Sequence, residues 1–468
     1  MADGLGITAR EPSRRGRLPG IRWVWLIVGL LAGSLPGAVL AALDLSAAVV
    51  ERLENGLTVI TLNEPAFPVV SVQMLYRAGA KHEAAGATGL AHFLEHMAFR
   101  DSENFPGTRL VGAIYAAGGE WHGYTWLDQT TYFATAPAAE LELLLRIEAD
   151  RMARLLIPED KVEAERGAIL AEMHGYENDP SSVLHDYLLY QSFLAHPYRN
   201  NTIGWERDIQ AISHAELVAF YRRHYHAGNA VLAVVGDIEH EAVMRLVRRH
   251  FAGLRGTRPS PEPHTAEPEQ TGERRLRLRG VVARKHFKIA YRAPAAAHPD
   301  YAGFLLLQDL LAAGSGASFL QNDWGTPARP GSPLAGVGED LVTWFPPSKQ
   351  NYVFTIGGSL AAGDGGQGDE QVGSRAEDAV EAGIESGIGQ LRRALDAADG
   401  SAEALVAAAR GRVRRELALD VRTTEDAAHQ LAFFSGIDAL DVLIGLPAAL
   451  ERVGPADIAR LIDDYLGR

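Results

Sequence analysis

The chain has 468 residues, of which 47% are hydrophobic and 22% are charged; these values are ordinary for a globular protein, and the length predicts two or three domains. The formal net charge of −14 argues against nucleic acid as a partner, because phosphate binding needs a basic surface. The absence of cysteine excludes disulfides, cysteine zinc sites, iron–sulfur clusters held by cysteine and cysteine nucleophiles, so histidine and carboxylate ligands would have to hold any metal.

Residues 1–44 have the composition of a signal peptide or an N-terminal membrane anchor. Arg14, Arg15 and Arg17 precede an apolar run at residues 21–43 that ends in small residues. This arrangement is typical of a secretory signal. The run is also about long enough to span a bilayer, so an uncleaved anchor at residues 21–43 is the alternative. Both interpretations predict an exported protein that works in the periplasm or elsewhere outside the cytoplasm.

Residues 45–255 are predicted to form one domain of mixed strands and helices. Residues 70–76 alternate between apolar and polar side chains, as a half-buried strand does. Residues 141–156 and 213–225 have a helical period, and the apolar run at residues 230–235 ends in Gly-Asp, which indicates a buried strand. Strands and helices do not strictly alternate, so the pattern favours the α+β class over a doubly wound parallel sheet.

Residues 256–275 hold Pro, Glu and Thr with almost no apolar side chain, which predicts a linker. The pattern of elements then restarts, with strands near residues 276–291 and a helix at residues 301–311. This restart predicts a second, similar domain at residues 276–468. Within that domain, the Gly-rich residues 361–374 are predicted to be a flexible loop insertion.

The segment His92-Phe93-Leu94-Glu95-His96 has the spacing of a metal site on a helix. Two histidines four residues apart share one helix face, and Glu95 lies beside them. Hydrolysis by zinc uses imidazoles that hold the metal and a carboxylate that accepts a proton from water. An amphipathic helix with a polar outer face is the alternative. The flanking residues are mostly apolar, however, which predicts a buried helix whose polar groups need partners.

A third ligand is expected elsewhere in the chain, because a catalytic zinc usually has three protein ligands. Residues 158–176 are rich in helix formers and predict a helix. Glu165 and Glu172 are seven residues apart, so they share a face of this helix. Either carboxylate could reach a metal, and solvated surface glutamates are the alternative.

The order His92-x-x-Glu95-His96 followed by Glu172 resembles the M16 (pitrilysin-like) metallopeptidases, which include insulysin and the mitochondrial processing peptidase. The similarity is strong from about residue 50 to 240 and weaker in the second predicted domain, as for a two-domain member of the M16B type. The resemblance implies two similar LuxS/MPP-like metallohydrolase domains, each a mainly antiparallel sheet with helices, facing across a cleft. It also implies His92, His96 and Glu172 as ligands of one zinc ion per chain, with Glu95 as the general base.

The resemblance also covers Glu165 and the strand that follows Gly118. Glu165 has the position of an additional helix glutamate in the family, which implies a supporting role at the catalytic site. The family places the strand beside the site, where it pairs with an extended substrate, so Gly119, His122 and Gly123 are expected to contact the substrate. The family usually carries Asn where this chain has His122, and this departure bears on substrate choice.

The function that the resemblance implies is that of a zinc-dependent endopeptidase acting on peptides or unfolded protein segments. Two-domain members usually work as dimers, so a homodimer or a heterodimer with a related M16 subunit is expected. The alternatives are a non-catalytic subunit of an M16 assembly and a zinc-stabilised peptide-binding protein. Non-catalytic members typically lack an intact motif, and this chain retains it.

Overall fold

Two main β-sheets organise the chain. The computed structural model describes residues 43–256, 261–263, 265–280, 282–313, 317, 325–360 and 370–467 (backbone only for 370–375). Apart from Leu43 and Asp44, the predicted signal peptide or anchor lies outside the described residues. We call residues 43–256 the first half and residues 276–467 the second half.

Strands and helices follow one another in mixed order along the described residues. In chain order they are β1 (Val49–Arg52), β2 (Thr58–Asn63), β3 (Val69–Tyr76), β4 (Asp101–Ser102), β5 (Glu120–Thr125), β6 (Thr130–Pro137), β7 (Leu155–Leu156), β8 (Ala230–Gly236), β9 (His286–Ala293), β10 (Thr326–Pro327), β11 (Glu339–Trp344) and β12 (Tyr352–Ser359).

The α-helices of the described residues vary from six to 26 residues in length. In chain order they are α1 (Leu90–Met97), α2 (Arg109–Ala116), α3 (Leu141–Arg154), α4 (Glu159–Glu177), α5 (Pro180–Ser192), α6 (Glu206–Ala211), α7 (His214–His224), α8 (His240–Phe251), α9 (Tyr301–Leu311), α10 (Glu370–Leu395), α11 (Ser401–Leu419), α12 (Thr424–Gly436), α13 (Leu440–Arg452) and α14 (Pro455–Leu461).

The first half contains a six-stranded sheet with the strand order β1-β2-β8-β3-β6-β5. The β2–β8 pair is parallel and the other pairs are antiparallel. The second half contains a four-stranded antiparallel sheet with the order β10-β11-β12-β9. Strand β5 is therefore an edge strand of the first sheet, and no strand of the described residues pairs with its outer side.

Strand β3 is buried on both faces, so the prediction of a half-buried strand is wrong. Its Val72 and Met74 face the core that also holds Phe93 of α1. Its opposite face is covered by α12 from the second half, where Leu75 packs with Leu431. The polar positions of β3 lie on this second face and stay buried because a helix from the other half covers them.

Packing across the two halves is reciprocal. Helix α5 of the first half packs against β9 of the second sheet. Arg292 on β9 donates to the carbonyl of Ser192 at the end of α5, with a nitrogen–oxygen distance of 2.6 Å. The Arg292 guanidinium also lies 4.4 Å from the ring centre of Phe193. Each sheet is therefore covered partly by a helix of the other half.

The predicted linker contains no helix or strand among its described residues, but it is held by two glutamates. The Glu262 carboxylate lies 2.6 Å from Lys81 of the first half and 2.6 Å from Lys349 of the second half. The Glu267 carboxylate accepts hydrogen bonds from the backbone N–H groups of residues 194–196. Charge pairing and backbone capping therefore fix the linker at both halves.

The α+β class is confirmed by the two sheets and their flanking helices. Helix α9 coincides with the helix predicted at residues 301–311, and β8 contains the strand predicted at residues 230–235. The loop predicted at residues 361–374 is too long, because residues 370–374 belong to α10; residues 361–369 lie outside the described residues.

The strand predicted to start near Leu276 is also partly wrong, because β9 begins only at His286. The side chains upstream explain the difference. Arg277 pairs with Glu377 of α10 at 2.5 Å, and Arg275 forms two bonds to Glu381 of the same helix. These ion pairs hold the segment along α10, where no neighbouring strand of the described chain pairs with it.

In the described part of the chain, no single helix has both the length and the apolar composition needed to cross a membrane. The pair α12 and α13, bent by 108°, passes the same test by length and composition only.

Candidate active site

Helix α1 carries the H-x-x-E-H residues and is anchored at its N-terminus by a distant carboxylate. Gly89 precedes the helix at φ +86°, and a side chain there would lie 2.4 Å from the carbonyl oxygen of Ile203. Gly89 has no side chain to cap the helix, and Glu83 caps it instead. The Glu83 carboxylate accepts hydrogen bonds from the N–H groups of Gly89 at 2.9 Å and Ala91 at 2.8 Å. This capping fixes the start of the helix that presents both histidines.

The structure brings His92, His96 and Glu172 together. One ligand atom from each residue lies within 4.8 Å of the other two. Nε2 of His92 is 3.8 Å and Nε2 of His96 is 3.4 Å from the same oxygen of Glu172. Two imidazole nitrogens and one carboxylate oxygen form a donor set that zinc takes in catalytic sites. The residues present therefore fit a zinc ion.

The charges around this cluster favour a cation. Burial lowers the pKa of His92 to about 4, and the neighbouring His96 acts in the same direction. Burial opposes the protonated form of His96 as well, but the carboxylates of Glu165 and Glu172 outweigh it and raise its pKa to about 9. The two carboxylates that favour a proton on His96 would equally favour a metal cation, while His92 stays neutral as a ligand must.

Glu165 lies on the other side of the His96 ring. Its carboxylate is 3.5 Å from Nδ1 of His96 and 2.6 Å from the guanidinium of Arg100. Burial works against the carboxylate form, but His96 and Arg100 hold the pKa of Glu165 below its usual range. A carboxylate at Nδ1 orients the imidazole and directs Nε2 towards Glu172. This position suits the supporting role that the resemblance implies.

Glu95 lies on the side of α1 that faces β5 and is buried there, with 8% of its surface exposed. The Thr125 hydroxyl donates to its carboxylate at 3.1 Å. A side chain at Gly123 would lie 2.7 Å from the ring of Phe99 and 3.3 Å from the Glu95 carboxylate. Burial raises the pKa of Glu95 to about 7, against the effects of His96 and Thr125. A base whose pKa is close to the working pH exchanges protons efficiently.

The residues of β5 alternate between two faces. Trp121, Gly123 and Thr125 are on the face towards α1, since Thr125 donates to Glu95 of that helix. The ring centre of Trp121 lies 4.4 Å from that of Phe99, two residues after the helix. His122 lies on the opposite face, and its ring stacks on Phe133 with centres 5.6 Å apart. Its side chain is therefore directed away from Glu95, although its backbone belongs to the strand beside the site.

Gly119, the third expected substrate contact, precedes β5 and packs against β6. A side chain there would lie 2.9 Å from both the Thr135 carbonyl oxygen and the Ala136 side chain. Close strand packing is a sufficient reason for glycine at this position.

Three residues that contact the site residues or anchor their helix were not assigned a role from the sequence: Glu83, Arg100 and Thr125. The signal for Thr125 was its separation of two residues from Gly123, which puts both on one face of a strand. Glu83 had a weaker signal, because its capping role follows from the absence of a side chain at Gly89. Arg100 has no sequence signal, since its partner Glu165 is 65 residues away.

Comparison with known families decides the classification. The model for Insulinase (Peptidase family M16) matches residues 58–205, which include the whole histidine and glutamate cluster. The model for the Peptidase M16 inactive domain matches residues 211–322. The two matches together cover more than half of the chain. The chain belongs to the M16 peptidase family.

Two curated relatives of this M16 chain differ in kind. The zinc protease PqqE of Helicobacter pylori is 30% identical over 276 residues, which are 58% of this chain and 62% of the relative. Subunit 1 of the bovine mitochondrial cytochrome b-c1 complex is 29% identical over 252 residues, which are 54% of this chain and 52% of the relative. The matched regions thus span little more than half of these relatives, and relatives of similar identity include both a protease and a respiratory-complex subunit.

The fold of the M16 chain has solved counterparts. The crystal structure of a protease from Helicobacter pylori has a TM-score of 0.77 and 23% identity, and the match covers 90% of this chain and 96% of that one. At this identity the likeness establishes the fold.

Proposed function

We propose that the chain is a zinc-dependent endopeptidase that hydrolyses peptides or unfolded protein segments outside the cytoplasm. The observation that carries the proposal is the convergence of His92, His96 and Glu172 with the buried carboxylate of Glu95 beside them. The zinc protease named among the relatives supports it. The intact set of residues is also the feature that argues against a non-catalytic subunit.

In this proposal His92, His96 and Glu172 hold the metal, and Glu165 orients His96. When bound, zinc supplies Lewis-acid polarisation of the scissile carbonyl and makes water more acidic. Glu95 accepts a proton from the attacking water and passes it to the leaving amine. The Thr125 hydroxyl holds the Glu95 carboxylate in place during this transfer.

The open edge of β5 is proposed to hold the substrate. An extended peptide can pair with the backbone of an edge strand, and alternate side chains then select the sequence. Strand β5 ends at Thr125, which touches Glu95, so a peptide along this edge would lie next to the base. This arrangement favours unfolded segments, because a folded chain has few free strand edges.

The test that separates an enzyme from a binding subunit is turnover of fluorescein-labelled casein by the purified chain. We expect hydrolysis that a chelator abolishes and that added zinc restores. Casein that is bound but not cut, in a zinc-loaded sample, would favour the subunit role suggested by the bovine relative.

Substitution of the proposed ligands is expected to reduce zinc affinity in a graded series. His96→Ala and Glu172→Ala each remove a donor atom, and we expect an affinity loss of more than about 100-fold, the upper end of the range for supporting residues. Glu165→Gln removes only the carboxylate behind His96, and supporting changes of this kind typically cost about 10- to 100-fold. Competition with a zinc-binding dye measures all three.

Glu177→Gln is the matched control for this series, because Glu177 is exposed on the same helix as Glu172. Its zinc affinity should equal that of the unmodified chain. Stoichiometric, tightly bound zinc in purified Glu172→Ala protein would remove that residue from the ligand set.

Thr125→Val is expected to lower kcat by about 10-fold without loss of zinc, because a hydrogen bond to a charged group is lost. Thr125→Ser keeps the hydroxyl and should restore most of the rate. Ser71→Ala is the control, since it removes a buried hydroxyl of the same sheet that has no hydrogen-bond partner among the described residues. Equal kcat values for the valine and serine variants would contradict the role of the hydroxyl.

We further propose that the chain is exported and forms a dimer with itself or with a related M16 subunit. The basic and apolar N-terminal residues support export. Cell fractionation after expression in a Gram-negative bacterium tests the location, and recovery of the chain only in the cytoplasm would reject export. Sedimentation of the purified chain tests self-association, and a monomer at micromolar concentration would exclude a stable homodimer.

A further inference from the structure

The imidazole of His122 contacts the backbone N–H and carbonyl of the next residue, Gly123. Its Nδ1 lies 2.9 Å from the amide nitrogen of Gly123 and 2.8 Å from the Gly123 carbonyl oxygen. When Nδ1 has a free lone pair it accepts from the amide, and when it carries a hydrogen it donates to the carbonyl. In each form the ring nitrogen makes one of these two hydrogen bonds, and it lies within 2.9 Å of both polar groups of Gly123.

These two groups point to the open edge of the sheet. In an antiparallel pair, the backbone groups of successive residues alternate between the partner strand and the outside. Just after β5, the N–H of Trp126 donates to the carbonyl of Gln129 at 2.7 Å, on the side where β6 lies. Gly123 is three residues earlier, so its N–H and carbonyl point the opposite way, towards the edge.

Gly123 is also the position on β5 that lies next to the base. A side chain there would come within 3.3 Å of the Glu95 carboxylate. A peptide that pairs with β5 near Glu95 therefore needs the Gly123 groups that His122 occupies.

We propose that His122 is a gate on the edge strand: its imidazole caps the Gly123 backbone, and an extended peptide pairs there only after the ring has turned away. The inference rests on the proposed function, because it assigns peptide pairing to this edge. The gate lowers the affinity for every extended peptide that pairs at Gly123.

The surroundings of His122 allow the ring to move. The residue is exposed, and its ring contacts Phe133 across the strand pair. Turning away costs the hydrogen bond to Gly123 and part of this stacking contact. A hydrogen bond in water contributes modestly, so the ring can be displaced by a peptide that makes the same bond.

The first experiment measures hydrogen exchange of the Gly123 amide in the peptide-free chain. We expect exchange to become about 2- to 10-fold faster in His122→Ala, in proportion to one lost hydrogen bond. His122→Phe keeps a ring that can stack on Phe133 but has no nitrogen, so it should exchange as fast as the alanine variant. Unchanged exchange in both variants, or protection retained in His122→Phe, would overturn the cap.

The second experiment measures turnover of fluorescein-labelled casein by the same variants. If the ring is a gate, KM should fall by about 2- to 10-fold in both variants, with kcat close to that of the unmodified chain. A KM that rises would instead make His122 a contact that holds the substrate, and would overturn the gate. The exchange experiment needs no activity, so it tests the cap even if the proposed peptidase function fails.

Discussion

Replacement of Glu95 by glutamine is expected to abolish nearly all peptidase activity while zinc stays bound. Glutamine has the same shape and can still accept the hydrogen bond from Thr125, which lies 3.1 Å from the carboxylate, so the fold of α1 should persist. It cannot accept a proton from water at neutral pH. General base catalysis typically contributes about 10²- to 10⁴-fold, and we expect kcat to fall by that factor.

Two measurements on the Glu95→Gln protein test this expectation: the rate of casein hydrolysis and the zinc content per chain. Glu159→Gln is the matched control, because Glu159 is an exposed glutamate at the start of α4. A Glu95→Gln rate within about tenfold of the unmodified chain would remove Glu95 as the base. Loss of zinc from this variant would mean that Glu95 also takes part in holding the metal.

The second large effect is a loss of stability, expected on substitution of Arg151, a buried cation that contacts the end of α1. Only 1% of Arg151 and 4% of Glu148 is exposed, and the two side chains form an ion pair. Arg151 also donates to the carbonyl of Ala98 after α1 at 3.3 Å, and its guanidinium lies 4.3 Å from the ring centre of Tyr132. Arg151→Met would leave the Glu148 carboxylate buried without its partner. We expect the free energy of unfolding to fall by about 3–5 kcal/mol.

Urea unfolding of matched pairs tests this prediction. The double variant Glu148→Leu with Arg151→Met removes both charges and should recover most of the loss, because a buried ion pair can be replaced by apolar groups at little cost. Arg414→Met is the control, because Arg414 and Glu451 form an exposed pair at 2.8 Å. Its removal should cost less than about 1 kcal/mol. A similar small cost for Arg151→Met would show that the buried pair adds little.

The sequence predicted the local elements well where periodicity decides them. Helix α9 and strand β8 are mostly apolar, and their bounds agree with the predictions to within a residue or two. Strand β3 shows where local patterns fail. Its alternating pattern predicted one exposed face, but α12 lies more than 340 residues later in the chain and covers that face. A local sequence pattern cannot predict that a helix from the other half covers a strand.

The candidate site also has some features that local sequence predicts and others that depend on tertiary structure. The relation of His92 to His96 follows from helix geometry, and Glu165 and Glu172 share a face for the same reason. The pairing of Arg100 with Glu165 and the bond from Thr125 to Glu95 depend on how α1, α4 and β5 approach one another. The direction of His122 also depends on tertiary structure, because a strand residue can face either side until its sheet is placed.

Each sheet is partly covered by a helix of the other half, and this affects whether either half can fold alone. A fragment that ended near residue 256 would lose α12 and would expose Ile60, Leu75 and Val231 to water. Contiguous apolar surface of this kind promotes self-association. A fragment of the second half would likewise lose α5 from β9. Independent folding of either fragment is therefore disfavoured, and the solubility of the half that carries both histidines depends on a helix that contributes no residue to the candidate site.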